Sequence, residues 1–364
     1  MPSAYRAAVV PAIGGARLGL GGDLAADLDD AARTLTAFDL GGSGEVAPFA
    51  SILLRSESAA SSHIENLTSS ARALAEAAIG VGDRSNALTI LANVRTMQAA
   101  MALAGDLDLD SILQMHRALM NGYPPASPGR LREEQVWIGG AGLHPGDAEF
   151  VPPVAADVPA LMADLVDFLA RDDMPPLALA TLAHAQFETI HPFADGNGRT
   201  GRALLHSVLL ATGVMHRVTV PISAGLLVAK GRYFAALTEY RAGDIEPILR
   251  CVADAARAGV LVGERLVTGL TEIRADWQHR VAARADSAVW RIIDLLLRQP
   301  VITARLIMTD LDVSAPTAQA ALSRLVEADV LVESTGWQRN RVYRAPEVLD
   351  ALDNYAEGLG RRSR

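Results

Sequence analysis

Apolar residues recur every three to four positions along most of the chain, the spacing that gathers them on one side of an α-helix. The pattern predicts helices over residues 23–36, 86–104, 109–119, 157–170, 177–189 and 200–210. The stretch 48–79 carries Ile52, Leu53, Ala59, Ala60, Ile64 and Leu67 at the same spacing. Helical patterning resumes over 233–257, and two further helices are expected to fill 260–285. Outside its one short helix, the segment 1–45 is Gly-rich and reads as loop. Only one region before residue 285 has strand character. Residues 135–138 and 148–151 flank a Gly-rich stretch, 139–146, and predict a β-hairpin that projects from the helices.

Past residue 285 the elements shorten. A helix over 287–297 precedes a helix-turn-helix pattern, 304–311 and 314–328, and then two strands, 330–333 and 342–344, about a turn at Gly336. That is the outline of a winged helix. The chain divides on this reading into an N-terminal region (1–80), a helical core (81–260), a connecting helix (261–285) and a winged-helix-like domain with a tail (286–364). The fold class is mainly α.

Composition narrows the function classes. Of 364 residues 50% are hydrophobic and 21% charged, enough to build packed cores. A formal net charge of −9 argues against gripping polyanions by bulk charge. Cys251 is the single cysteine, so neither an internal disulfide nor a cysteine metal cluster can form, which fits a reducing compartment. No apolar run reaches the ~18 residues that a membrane-spanning helix requires. Pro11, Gly14 and Gly15 interrupt the N-terminal stretch and make it a poor signal peptide. A cytoplasmic protein with no membrane partner is the expectation.

Chemistry concentrates in one segment, His191-Pro192-Phe193-Ala194-Asp195-Gly196-Asn197-Gly198-Arg199-Thr200-Gly201-Arg202. Pro192 ends one helix, Gly196 and Gly198 permit a tight loop, and a new helix is expected to start at Thr200. Such a loop can aim successive backbone N–H groups at one point, next to the positive end of the following helix. Arg199 and Arg202 are three apart and share a helix face there. Two guanidiniums beside an amide nest suit a polyphosphate. Asp195 is the one carboxylate in the segment that could hold Mg²⁺, and His191 can take a proton near neutrality.

These twelve residues match all eight specified positions of the signature His-x-Phe-x-[Asp/Glu]-Gly-Asn-Gly-Arg-x-x-Arg, so the chain resembles the Fic (filamentation induced by cAMP) family. The resemblance spans roughly residues 30–260. Phe187-Glu188-Thr189-Ile190 resembles the family's lead-in helix, and the hairpin with Trp137, Phe150 and Val151 its target-docking flap. Tyr233-Phe234, followed by Gly243-Asp244, resembles its adenine-side segment. The resemblance implies transfer of AMP from ATP to a Tyr, Thr or Ser hydroxyl of a protein, with release of pyrophosphate. His191 would be the base and Asp195 the Mg²⁺ ligand. Gly196, Asn197 and Gly198 would form the anion hole, with Thr200 and Gly201 beside it. Arg199 and Arg202 would meet the β- and γ-phosphates, and Phe193 would anchor the loop.

A second, looser pattern gains weight beside the first. Ser61, Glu65 and Asn66 fit [Ser/Thr]-x-x-x-Glu-[Gly/Asn], which resembles the family's autoinhibitory motif. Ser61 and Glu65 lie four apart, hence on one helix face. The resemblance implies that Glu65 pairs with Arg202 and denies it to ATP. It leaves the target protein open, the chain itself among the candidates, and a homodimer open too. Two rivals stand beside it. His184, Glu188 and His191 at i, i+4 and i+7 could hold the metal of a hydrolase, although the spacing is not a known zinc motif. The winged helix could bind DNA as a regulator. However, residues 287–345 contain seven Arg and no Lys against six Asp plus Glu, a weak basic footprint, so a partner or dimerisation module is the preferred reading.

Overall fold

The computed structural model describes residues 5–41, 46–82, 84–121, 127–140, 144–334 and 341–362, and it is mainly α as expected. The central element is α7 (Pro176–Ile190). Every residue from Leu177 to Ile190 is buried, as its nearly all-round apolar sequence requires. Against it lies α8 (Asn197–Ala211), reached through the tight loop 191–196. Around this pair pack α1 (Gly22–Asp39), α2 (Ala50–Ile64), α4 (Ser85–Leu103), α5 (Leu109–Met120), α6 (Val158–Leu169), α9 (Ile222–Val228) and α10 (Lys230–Arg241). The 35-residue α11 (Glu246–Arg280), roughly 50 Å long at ~1.5 Å per residue, buries its first half against α1 and α9. Its second half ends at the fully buried Trp277, whose indole N–H donates to Glu347 at 3.1 Å.

The C-terminal unit runs α12 (Ala288–Arg298), β1 (Val301–Thr303), α13 (Ala304–Leu311), α14 (Ala315–Glu327), β2 (Val332–Glu333), β3 (Val342–Arg344). Its three strands are antiparallel in the order β1-β3-β2, with Val301 opposite Arg344 and Glu333 opposite Tyr343. Ser287, Thr303 and Ser314 cap its helices, their hydroxyls accepting from Val289, Leu306 and Thr317 N–H, as these residue types do. A last helix, α15 (Pro346–Arg362), turns back onto α11, α9 and α3 (Ala71–Ala78).

Several boundaries depart from the expected ones. The stretch 48–79 is not one helix: α2 stops at Ile64, Asn66 adopts φ 63°, and Ser70 caps a separate α3. The pattern over 233–257 divides at Gly243 (φ 101°) into α10 and α11. The expected pair of helices in 260–285 is instead the continuation of α11 as far as Arg280, no proline interrupting it after Pro247. Helix α8 begins at Asn197 rather than Thr200. The hairpin reduces, among the described residues, to one antiparallel bridge, Ile138 with Phe150. Residues 141–143 of its loop, and 335–340 with Gly336 and Arg339, lie outside the described residues. Residues 5–16 are loop, as expected, and they lie as a strap across the helices. Gln186 donates to Pro11 O at 2.8 Å, Asp164 accepts from Ile13 N–H at 2.6 Å, and Ala8 N–H donates to Val151 O at 2.9 Å.

Candidate active site

The loop between α7 and α8 is locked from several sides. His191 caps α7 in the left-handed region, φ 52°, a conformation uncommon for non-glycine residues. Gly196, φ 76°, turns the chain into α8 in space too tight for a Cβ, which would meet Leu119 at 2.8 Å. Asn197 spends its side-chain amide on the loop itself, accepting from Phe193 N–H at 2.9 Å and donating to Phe193 O at 2.8 Å. Phe193 is fully buried and stacks on His116 with 3.7 Å between ring centroids. His116 accepts from Gly129 N–H at Nδ1 (3.0 Å), so its proton sits on Nε2 and bonds Asp195 O at 3.1 Å.

This leaves the first N–H groups of α8, those of Asn197, Gly198 and Arg199, without helical acceptors and turned toward one place. Arg199 and Arg202 flank it, 6% and 3% exposed. A carboxylate already occupies their reach. Glu65 Oε2 accepts from Arg199 Nε at 3.0 Å, and Glu65 Oε1 from Arg202 NH2 at 2.7 Å. Ser61 completes the grip: its hydroxyl and its carbonyl each accept from Arg202 at 2.8 Å. Burial opposes the Arg202 charge, but Glu65, with Tyr233 and Glu188, raises its pKa overall. The expected Glu65–Arg202 pair is therefore present, and Arg199 is a second partner that the sequence did not reveal. A Cβ on Gly198 would collide with the Glu65 carboxylate, so glycine here leaves that carboxylate its present seat. Asn66, just past the helix, accepts from Lys230 at 2.9 Å.

Helix α2 is anchored elsewhere by Glu57. This fully buried carboxylate accepts from Ser223 N–H at 2.8 Å and from its hydroxyl, and faces His206 Nε2 at 3.0 Å. Asn93 adds a bond to Ser58 O at 2.9 Å.

Burial first, then Arg241 and Arg132, pulls the His191 pKa down to about 4, so the imidazole is neutral at pH 7. Its buried Nδ1 faces Glu188 Oε2 at 4.0 Å. Burial and Glu65 raise the Glu188 pKa, against Arg202 and Arg241, to about 7. Asp195 is the exposed member: Oδ1 accepts from Gly196 N–H at 2.6 Å and lies 3.9 Å from Arg199. The hydrolase triad does not assemble. His184 is buried and turns Nε2 to Tyr233 Oη at 2.8 Å, and among the described residues no three His, Cys, Asp or Glu side chains converge to hold a metal. Tyr233, at 1% exposure, offers no open ring face and supports the site from beneath, whereas Phe234 beside it is 46% exposed. On the flap, Phe150 lies under Arg241, 3.8 Å from the guanidinium carbon to the ring centroid. Val151 is buried, with its carbonyl already taken by Ala8.

Arg132 went unmarked in the sequence. Its guanidinium donates to His191 O (2.8 Å), Glu134 O (3.0 Å) and Pro153 O (2.5 Å), and its N–H to Pro192 O (2.9 Å), tying the loop to the flap base. Arg132 is one of two arginines, with Arg130, just before the hairpin, a signal shared by many surface segments.

Three histidines here have lowered pKa values: His116 and His191 to about 4 and His184 to about 3, burial being the first cause in each. Below pH ~6.5 the unfolded chain binds protons that the folded chain refuses, so stability falls with pH through this window. Three such protons give a slope of about 4 kcal/mol per pH unit, reduced to about 3 because Glu188, raised to about 7, takes up one proton in the folded state over the same window. Thermal melts should show Tm dropping steeply from pH 6.5 to 4.5, less so in His116→Gln; a flat Tm across that range would contradict the assignment.

Residues 106–209 match the profile of the Fic/DOC family. The chain is 32% identical over 158 residues to the protein adenylyltransferase fic-1 of Caenorhabditis briggsae, covering 43% of this chain and 28% of that protein. It is 30% identical over 164 residues to the protein adenylyltransferase Fic of Drosophila willistoni, covering 44% and 30%. It thus spans under a third of the length of these curated relatives. In fold it is similar to the crystal structure of a Fic family protein from Desulfovibrio desulfuricans G20, with TM-score 0.57 and 23% identity over 90% of this chain and 97% of that one. The segment that matches the Fic/DOC model contains α7, the loop and most of α8.

Proposed function

We propose that the chain is a protein adenylyltransferase that moves AMP from ATP to a Tyr, Thr or Ser hydroxyl of a protein, and that Glu65 holds it inactive. The observation that carries this reading is the Glu65 carboxylate seated on Arg199 and Arg202 at the N-terminus of α8. The chain's own anion marks the place as built for negative charge and fills it. Arg199 and Arg202 would bind the β- and γ-phosphates once Glu65 leaves, and the free N–H groups of α8 would cradle the rest. His191, neutral at pH 7, can accept the target's hydroxyl proton as its oxygen attacks the α-phosphorus and pyrophosphate departs. Such a reaction draws most of its acceleration from positioning and charge neutralisation.

Asp195 suits a Mg²⁺ ion: its carboxylate is 73% exposed and spends only Oδ1 within the loop. When bound, Mg²⁺ would supply further neutralisation of phosphate charge. The order of elements in the C-terminal unit supports the winged-helix reading. Its packing on α3, through the buried set Ala75, Val301, Val342 and Leu349, favours a partner-like role within this chain over DNA binding. The single cysteine and the absence of a long apolar helix among the described residues are compatible with the cytoplasm, where ATP is available.

Nucleotide binding tests the reading directly. Calorimetric titration of ATP with Mg²⁺ should show binding at least ~10-fold tighter in Glu65→Gly than in wild type, since a charge-assisted bond is worth about 1.5–3 kcal/mol. Equal affinities would remove Glu65 from the phosphate site.

A further inference from the structure

The face of α2 opposite Glu65 borders a cavity of about 450 Å³, bounded also by α3 and α15. Ile52, Ser56, Ala59 and His63 recur at helical spacing on this side, while Ser61 and Glu65 point the other way to Arg202. The volume lies within the range of small-molecule sites, and most of the wall is apolar.

Two polar groups in that wall lack their usual partners. The Tyr355 hydroxyl is buried with no hydrogen-bond partner; Ser56 is near enough to affect its ionisation, but the geometry falls short of a bond. Arg55 donates to Arg298 O at 2.9 Å and has no carboxylate at ion-pair distance among the described residues, and burial lowers its pKa. The acidic groups of the wall are engaged elsewhere: Asp353 accepts from Ala71 N–H at 2.8 Å, and Glu357 has a partner of its own. Burial, with Lys230 adding to it, lowers the His63 pKa and keeps that ring neutral. A half-buried guanidinium without an ion-pair partner and an unused hydroxyl, set in a mostly apolar wall, ask for one anionic head on an apolar body.

We propose that this cavity binds a small amphipathic monoanion, an acyl or aryl body with a single acidic head, and that its occupancy holds α2 in the inhibitory position. The sign follows from linkage. The cavity is shaped by α2 in the seat that engages Arg202, so a ligand that fits it favours that state over any other. The regulatory half rests on the adenylyltransferase reading; the binding half does not. The C-terminal unit contributes Pro300, and α15 beyond it Leu352 and Tyr355, so the cavity lies where that part of the chain meets the inhibitory helix.

The test uses the full chain without nucleotide and 8-anilinonaphthalene-1-sulfonate as probe, read by fluorescence. Saturable binding of one probe per chain is expected, displaced by decanoate far better than by decanol. Arg55→Gln should weaken it about 10-fold or more, the loss of one charge-assisted contact, and Ala59→Phe, which fills the cavity, should abolish it. Thermal melts confirm that each variant is folded; should Ala59→Phe not fold, Tyr355→Phe takes its place, with weaker binding expected. Unchanged binding in these variants, equal displacement by decanol, or no binding overturns the proposal. Binding lost because a second copy of the chain covers the cavity, seen as a dimer in light scattering, overturns it as well. Decanoate should also slow any self-labelling of wild type by ATP. If the probe binds as expected but no AMP transfer is found even in Glu65→Gly, the site stands and the adenylyltransferase reading falls.

Discussion

Glu65→Gly is expected to raise the rate of AMP transfer by about two to three orders of magnitude. The carboxylate makes one charge-assisted bond to each of two nearly buried arginines, 3.0 and 2.7 Å long. At about 1.5–3 kcal/mol each, and toward the low end because the Glu65 side chain is 28% exposed, ATP must overcome roughly 3–4 kcal/mol before its phosphates reach Arg199 and Arg202, and each 1.4 kcal/mol is tenfold. The same change should lower thermal stability, because Arg202, 3% exposed, loses the carboxylate bonded to it and keeps Ser61, with Tyr233 and Glu188 nearby. ATP should restore that stability by taking the vacated place. A gain in rate with a loss in Tm that nucleotide reverses is a signature that general loosening of the fold does not give. Initial rates with ATP labelled at the α-phosphate, alongside melts with and without nucleotide, would show it; a rate change below about threefold would contradict it.

His191→Ala in the Glu65→Gly background is expected to cost about 10²–10⁴-fold in rate, the usual worth of a positioned general base, with ATP affinity held within about threefold. His191 reaches the site through the left-handed turn at the end of α7 and bonds no phosphate-binding residue, so its removal leaves the anion site in place. The pH profile separates it from its neighbour. Because the His191 pKa is lowered to about 4, the base stays unprotonated and the rate holds until pH falls toward that value. An acidic limb near pH 7 that disappears in Glu188→Gln would belong to Glu188, whose pKa is raised to about 7. Removing Glu65 takes away one of the charges that raise it, so this limb should move to lower pH in Glu65→Gly.

The sequence made visible what depends on local spacing. The loop from His191 to Arg202 is read from neighbours along one chain, and Ser61 and Glu65 share a face because any helix puts i and i+4 together. What joins distant segments was not visible. His116 stands alone on an amphipathic helix, yet its ring stacks on Phe193, seventy-seven positions away, and carries Asp195 O. Arg132 earns its place through carbonyls on three separate segments, and carbonyls leave no trace in side-chain patterns. Arg199 was expected on phosphate alone, since no spacing rule says that one carboxylate reaches both arginines. The missed elements have similar causes. β1 is three residues long, too short to show alternation. The course of the loop over residues 5–16 was not legible either, because it is set by bonds to Val151, Asp164, Arg171 and Gln186 rather than by any period of its own. The unbroken α11 is the opposite case: two helices are expected over 260–285, and a single helix runs through to Arg280.

The most direct test incubates wild type, Glu65→Gly, and Glu65→Gly with His191→Ala, each with Mg²⁺, α-phosphate-labelled ATP and a lysate as source of targets. Label on protein that is faint with wild type, strong with Glu65→Gly and absent from the double variant is the expected result, with label from the γ-phosphate absent throughout. Equal labelling by wild type and Glu65→Gly, or labelling that survives loss of His191, would contradict the account at its centre.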